Sequence, residues 1–345
     1  MKILIVKTSS LGDIIHAFPV AAYLHDKFPD ADIDWVVERP YAELVSSHPY
    51  VNTVHTIDTK KWRKGRGWKE INSIRKQLKR VPYDVVFDLQ GNSKSAIVTY
   101  WANSPDKVGY SKRLVFEKPN LWVTTHQYDP PVEANVRQEN LHLAQSYFND
   151  DSTFQDSGVC LSIEKDQEKI IDQLCLNLPE CRKVMVCPGS AWPNKQVEQH
   201  ALVRFLKQIP DTHFLLVWGS EQEKQMALKL HAEVANSSLI DRLPIPTLQN
   251  LMNRMDEVIA MDSLPLHLAA TTSVPTYSIF GASSAQKYKP FGERHRSFQG
   301  ACPYGRQFSR RCPVLRTCKT GACIRELNGK EIYSHYSNKE LVSKI

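Results

Sequence analysis

Asp13 stands just beyond the apolar run KILIV, after Lys7-Thr8 and the small-residue stretch Ser9-Ser10-Leu11-Gly12. A carboxylate in that place either caps the helix that follows or takes a proton as a general base. Ser10 and Gly12 keep the turn small, and Gly12 lets another backbone or a substrate come close. The GxxxxGK[ST] pattern is absent, so this is no P-loop. In CPGSAWPNKQ, Ser190 offers a hydroxyl, and Lys195 is either a solvated charge or a cation for a diphosphate leaving group. MDSLPLHLAA holds Asp262, Ser263 and His267. They read either as a capped helix with His267 packed on a sheet or as an anion site at a helix start. Glu221, in WGSEQEK, is placed to accept hydrogen bonds from ribose hydroxyls. Lys60, Lys61, Arg63 and Lys64, in KKWRKGRGWK with two tryptophans, form either a solvated basic loop or a hold for an anionic acceptor. Gln90, in YDVVFDLQ, ends a further apolar run.

All of these residues follow short β-branched runs, and those runs alternate with helical patterns. KILIV (2–6), IDWVVE (33–38), TVHTI (53–57) and YDVVFDLQ (83–90) read as strands, with helices over Ile14–Phe28 and Trp68–Arg80. The pattern restarts with strands at 184–190, 213–220, 238–241, 257–263 and 276–281. Helices are expected over Glu198–Gln208, Glu221–Val234 and Thr247–Met255. Such alternation predicts an α/β fold of two Rossmann-like domains, with ligands beyond the carboxyl ends of the strands. A boundary in FNDDSTFQDSG gives domains over 1–155 and 156–329, followed by a C-terminal surface helix over 330–345.

Bulk properties narrow the class. The 345 residues are 42% hydrophobic and 23% charged, as in a soluble globular protein of two domains. No apolar stretch is long enough for a membrane-spanning helix, and ILIV is too short for a signal-peptide core. A cytoplasmic location is expected. The net charge is +7, yet residues 287–330 hold 11 Lys/Arg against 2 Asp/Glu, leaving −2 for the rest. That segment is either a polyanion contact or a solvated face. It also holds Cys302, Cys312, Cys318 and Cys323, whose spacing lacks the paired CxxC of a strong zinc signature. Reduced thiols are expected, and no metal is assigned.

The stretches IVKTSSLGDIIHAFP, DWVVE, WRK, YDVVFDLQGNSKSA, PGSAWPNK, WGSEQE and MDSLPLHLAA, in this order, resemble glycosyltransferase family 9 over most of the chain. Where the family has Asp-Thr-Gly, this chain has Asp262-Ser263-Leu264, and the usual His-Pro-Gly is Cys187-Pro188-Gly189. The resemblance implies a GT-B fold, with two Rossmann-like domains facing a cleft. It implies inverting transfer of L-glycero-D-manno-heptose from ADP-heptose to the Kdo of lipid A, without metal or cofactor. Asp13 would be the base and Lys195 a catalytic contact to the donor phosphate. Ser190, Asp262, Ser263 and His267 would line the donor side, and Glu221 would hold the ribose. Lys60, Lys61, Arg63 and Lys64, with Ser10, Gly12 and Gln90, would face the acceptor. The implied partners are an ADP-sugar and an anionic Kdo–lipid A at the cytoplasmic face of the inner membrane, with no nucleic acid. Two other readings remain. One is a family 9 transferase with another donor or a later heptose to add. The other is a non-catalytic protein whose basic tail holds nucleic acid.

Overall fold

Nine of the apolar runs form strands, because β-branched and aromatic side chains suit parallel strands covered on both faces. The computed structural model describes residues 1–338 of the chain, which folds as two units, Met1–Ser162 and a second that begins at Ile163. In the first unit β1 (Lys2–Val6), β2 (Asp32–Glu38), β3 (Thr53–Ile57), β4 (Val85–Asp88), β5 (Asp106–Tyr110) and β6 (His126–Tyr128) form a parallel sheet. Its order is β3-β2-β1-β4-β5-β6. The second unit repeats that order with β7 (Arg182–Cys187), β8 (Thr212–Leu216), β9 (Ser237–Leu239), β10 (Glu257–Met261), β11 (Thr276–Phe280) and β12 (His295–Gln299). In both units the strand order reverses beside the first strand, between β1 and β4 and between β7 and β10. A doubly wound sheet presents its ligand site at such a point.

The helices of the first unit are α1 (Leu11–Ile15), α2 (Phe18–Lys27), α3 (Ala42–Ser46), α4 (Thr59–Arg63), α5 (Trp68–Arg80), α6 (Ser93–Trp101) and α7 (Val136–Tyr147). The single helix expected over Ile14–Phe28 is two, α1 and α2, with Pro19 in the first turn of the second. Proline has no N–H to continue the ladder of a preceding helix, so the break falls just before it. One face of the sheet buries Leu4, Val6, Val36 and Val86 against Ile74 and Leu78 of α5 and Val98 of α6. The spacing of Ile74 and Leu78 puts both on one side of α5, and charged residues occupy the other.

The second unit carries α8 (Lys165–Leu176), α9 (Gln199–Leu206), α10 (Glu221–Glu233), α11 (Ile245–Met252), α12 (Leu264–Ala269), α13 (Ala285–Tyr288), α14 (Ala322–Arg325) and α15 (Gly329–Ser337). α15 is the described part of the expected C-terminal surface helix; residues 339–345 of that expectation lie outside the described residues. The helix is more than a surface element. Ile332 and Tyr336 are buried in the same core as Phe205 and Tyr277. The Tyr336 hydroxyl donates to Glu257 (2.5 Å) and accepts from Arg182 (2.9 Å). Among the described residues no helix is long and apolar enough to cross a membrane.

Candidate active site

In the first unit the polar residues gather where β1 and β4 end. The chain leaves β1 at Val6, and Ser10 precedes the short α1, with Asp13 in that helix's first turn. The Asp13 carboxylate accepts from the Ser10 backbone N–H (3.1 Å) and from its hydroxyl (2.7 Å). It is only partly buried, while the next two residues, Ile14 and Ile15, are fully covered. Capping and catalysis are therefore compatible here: the contacts that cap the helix also fix the carboxylate's direction. Gln90 approaches from the end of β4, and its side-chain oxygen accepts from the Thr8 (3.0 Å) and Ser9 (3.1 Å) amides. Gly12 is the second residue of α1.

Two groups beneath this turn were not legible as a pair. The Lys7 ammonium is buried and donates to the Leu89 carbonyl (2.5 Å). Burial lowers its pKa, and the fields of Asp13, Asp88 and Glu139 oppose that shift. Asp88 is fully buried, and burial raises its carboxyl above the ordinary range. Hydrogen bonds from Gly91, Ser95, Thr99 and Asn120 work against that rise. The only sequence signal for Lys7 is a cation directly after an otherwise apolar strand.

The basic residues follow β3, and Glu38, whose N–H donates to the Thr8 carbonyl (3.0 Å), links the start of their helix to the turn after β1. Lys60, Lys61 and Arg63 sit on α4 and Lys64 follows it, all exposed. Lys61 reaches Asp58 (3.6 Å) and Glu70 (3.5 Å). Glu38, at the end of β2, accepts from the Thr59 amide (3.2 Å) and hydroxyl, which fixes the start of α4. Trp62 packs against Trp101 with ring centroids 5.8 Å apart. Glu38 thus positions the basic helix, a role visible only once β2 and α4 are adjacent.

In the second unit Lys195, Asp262 and His267 come together. Lys195 ends the turn Pro193–Lys195, and its ammonium lies 2.5 Å from Asp262, with both side chains less than a tenth exposed. The His267 Nε2 is 3.4 Å from the other Asp262 oxygen. Ser283, which follows β11, donates its hydroxyl to Asp262 as well. Burial alone would raise the Asp262 carboxyl. Hydrogen bonding to His267 and the Lys195 charge outweigh it and hold the group well below the usual carboxylate range. Ser263 precedes α12, with its hydroxyl 3.4 Å from the Met261 carbonyl. The Ser190 carbonyl accepts from Gln196 (2.5 Å). Glu221 stands apart: it is exposed at the start of α10 and accepts from Gln225 on its own helix (3.0 Å). Glu223 instead turns back to accept from the Gly219 (2.8 Å) and Ser220 (2.9 Å) amides. It packs so closely over Gly189 that a Cβ there would lie 2.3 Å from it.

The cysteine-rich tail buttresses the lysine turn. Asn194 donates to the carbonyls of Leu315 (2.8 Å) and Cys318 (2.9 Å), and Arg325 pairs with Glu198 (2.6 Å). Cys302, Cys312, Cys318 and Cys323 all border one cavity of about 30 Å³, together with Asn194. All four thiols are free, and among the described residues no three His, Cys, Asp or Glu are grouped to hold a metal ion. Three of the tail's arginines stack on aromatic rings within the fold. Arg311 lies over Tyr288, Arg316 over Trp192, and Arg296 over Tyr277 and Tyr336.

Two doubly wound units of equal strand order, each with a polar cluster beyond its central strands, make the GT-B architecture. The chain belongs to glycosyltransferase family 9 (heptosyltransferase), which it matches over residues 71–317. It is 28% identical over 295 residues to lipopolysaccharide heptosyltransferase 1 of Pseudomonas aeruginosa, covering 82% of this chain and 79% of the relative. It is 26% identical over 306 residues to the protein of that name from Escherichia coli, covering 81% and 88%. Among solved structures, E. coli heptosyltransferase WaaC with ADP superposes with a TM-score of 0.78 at 19% identity, over 98% of this chain and 100% of that one. E. coli ADP-heptose lps heptosyltransferase II gives 0.71 at 18% identity, with both chains covered in full. These structural likenesses establish the fold.

Proposed function

We propose that this glycosyltransferase moves L-glycero-D-manno-heptose from ADP-heptose to the Kdo of lipid A in building the lipopolysaccharide core. The observation that carries the chemistry is Asp13, a partly exposed carboxylate aimed by Ser10 at the end of β1. The relatives named heptosyltransferase 1 support the choice of sugar.

In this reading the Asp13 carboxylate accepts the proton of the acceptor hydroxyl. The freed oxygen bonds to the anomeric carbon from the face opposite the diphosphate. The bond between that carbon and the phosphate oxygen breaks, and ADP leaves with the electron pair, so the configuration inverts. Lys195 balances the charge that grows on the leaving diphosphate, as a preorganised cation does in a transferase site. Asp262 acts chiefly by holding Lys195 and His267, since a carboxylate facing a diphosphate would repel it. Ser190 and Ser263 supply hydroxyls on the donor side, and Glu221 takes the ribose. Lys60, Lys61, Arg63 and Lys64 hold the anionic acceptor, with Ser10, Gly12 and Gln90 shaping the turn beside it. A lipid-borne acceptor and a water-soluble donor put the reaction at the cytoplasmic face of the inner membrane.

The test is a transfer assay that crosses ADP-heptose, ADP-glucose and UDP-glucose with Kdo-terminated and heptose-terminated acceptors. The expected product forms from ADP-heptose and the Kdo acceptor alone. Faster transfer to the heptose-terminated acceptor would move the enzyme to a later step and overturn this assignment.

A further inference from the structure

Lys7 is the first residue after β1, and it is only 8% exposed. A lysine is seldom buried so fully without a partner for its charge. Its ammonium donates to the Leu89 carbonyl in the turn after β4, and its own carbonyl accepts from the Trp35 indole of β2 (3.0 Å). The residues on either side of Leu89 belong to the same arrangement. Asp88 accepts from the Gln90 (3.0 Å) and Gly91 (2.9 Å) amides, and Gln90 accepts from the Thr8 and Ser9 amides. Ser10, next along, holds Asp13. On α7, Glu139 is buried, and its neighbour Asn140 donates to the carbonyl of His16, three residues after Asp13 (3.0 Å). The fields of three carboxylates, Asp13, Asp88 and Glu139, thus reach one ammonium. Of the other ionisable groups on the packed elements, His16 and Arg137 are buried, and Glu38 at the end of β2 is engaged by Thr59 and Lys94.

We infer that Lys7 is a positioning residue for the transfer reaction: its buried ammonium fixes the turn that carries Asp13 and keeps Asp13 an anion beside Asp88 and Glu139. The inference rests on the reading of Asp13 as the proton acceptor. Carboxylates gathered in one place push a proton onto one of their number, and a nearby cation opposes this. Asp88 and Glu139 are shut away from water, whereas Asp13 is partly exposed. A proton taken up from solvent on Asp13 would leave it unable to accept one from the acceptor hydroxyl. An acceptor that covers the turn also excludes water, which strengthens both the repulsion and the attraction. The ammonium therefore matters most in the loaded enzyme. Its hydrogen bond to Leu89 adds a mechanical part, because it holds the strand end from which Gln90 reaches the Thr8 and Ser9 amides.

The test is kcat, the KM for ADP-heptose and the pH profile of kcat, measured on the full chain for Lys7→Met, Lys7→Arg and Glu139→Gln. Lys7→Met keeps the length of the side chain and loses its charge. It should lower kcat at least about tenfold with KM within about twofold of the parent, and move the acidic limb of the profile up by about one pH unit. Lys7→Arg, which keeps the charge, should recover part of the lost rate. Glu139→Gln removes a negative charge and should move the acidic limb down, a reversal that general damage to the fold does not produce. With Asp13→Asn already in place, adding Lys7→Met should slow transfer no further. Lys7→Met with parental kcat and an unmoved limb overturns the inference. So do limbs that move the same way in Lys7→Met and Glu139→Gln, or a further loss on top of Asp13→Asn. If Lys7→Met does not fold, an unmoved limb in Glu139→Gln overturns it alone. Parental turnover by Asp13→Asn would instead refute Asp13 as the base, which separates that failure from this one.

Discussion

Lys195 and Asp262 form a buried pair to which the proposed mechanism gives a chemical role. Each side chain is less than a tenth exposed, so each ion depends on the other for solvation. Removing one partner from such a pair typically costs about 3–5 kcal/mol, because the remaining charge stays buried without compensation. Asp262→Ala should therefore lower unfolding free energy by that order in urea titration. A loss below about 1 kcal/mol would show that Lys195 is not held as described. His48 sets a different condition. It is buried against Phe18, and burial, helped by His25, pushes its pKa down to about 3. The unfolded chain then binds a proton near pH 6.5 that the folded chain refuses. Stability from this group is full above that pH and is lost as pH falls toward about 3, up to roughly 5 kcal/mol. Unfolding measured at pH 7, 5 and 4 should show a shallower decline for His48→Leu than for the parent. Parallel declines would remove His48 as the cause.

At the level of elements, the strand ends and the turns after them do most of the positioning. Gln90 closes the turn after β1, Glu38 anchors α4, and Asn194 ties the lysine turn to the cysteine-rich tail. Each is a long-range contact that fixes a turn or helix start carrying a candidate site residue. α15 has a comparable structural role. Its Ile332 is fully buried in the second unit's core, so Ile332→Ala should cost about 2–5 kcal/mol and lower the melting temperature. A melting temperature equal to the parent's would mean that α15 merely lies on the surface.

For the whole molecule, the central strands are legible in the sequence because both their faces are buried and their apolar runs are unbroken. β1 coincides with KILIV residue for residue, as α5 does with Trp68–Arg80, and the edge strand β3 is legible as TVHTI from its β-branched residues rather than from burial. β5, β6 and β12 are not, because DKVGY, HQY and HRSFQ carry polar residues and gain their pairing from a neighbouring strand. The site divides in the same way. Asp13, Lys195, Asp262 and His267 stand out by following strands. Ser283 and Lys7 do not, since their partners lie 21 and 82 residues away and no local pattern announces them.

In the proposed mechanism the base, Asp13, belongs to the first unit, and Lys195, Asp262 and His267 belong to the second. The most direct test is therefore to measure turnover and ADP-heptose affinity together for Asp13→Ala, by product formation and calorimetry. Transfer should fall by at least about a thousandfold while donor affinity stays within about twofold of the parent. Parental turnover, or a collapse of donor affinity that matches the loss of rate, would contradict a proton-accepting role for Asp13.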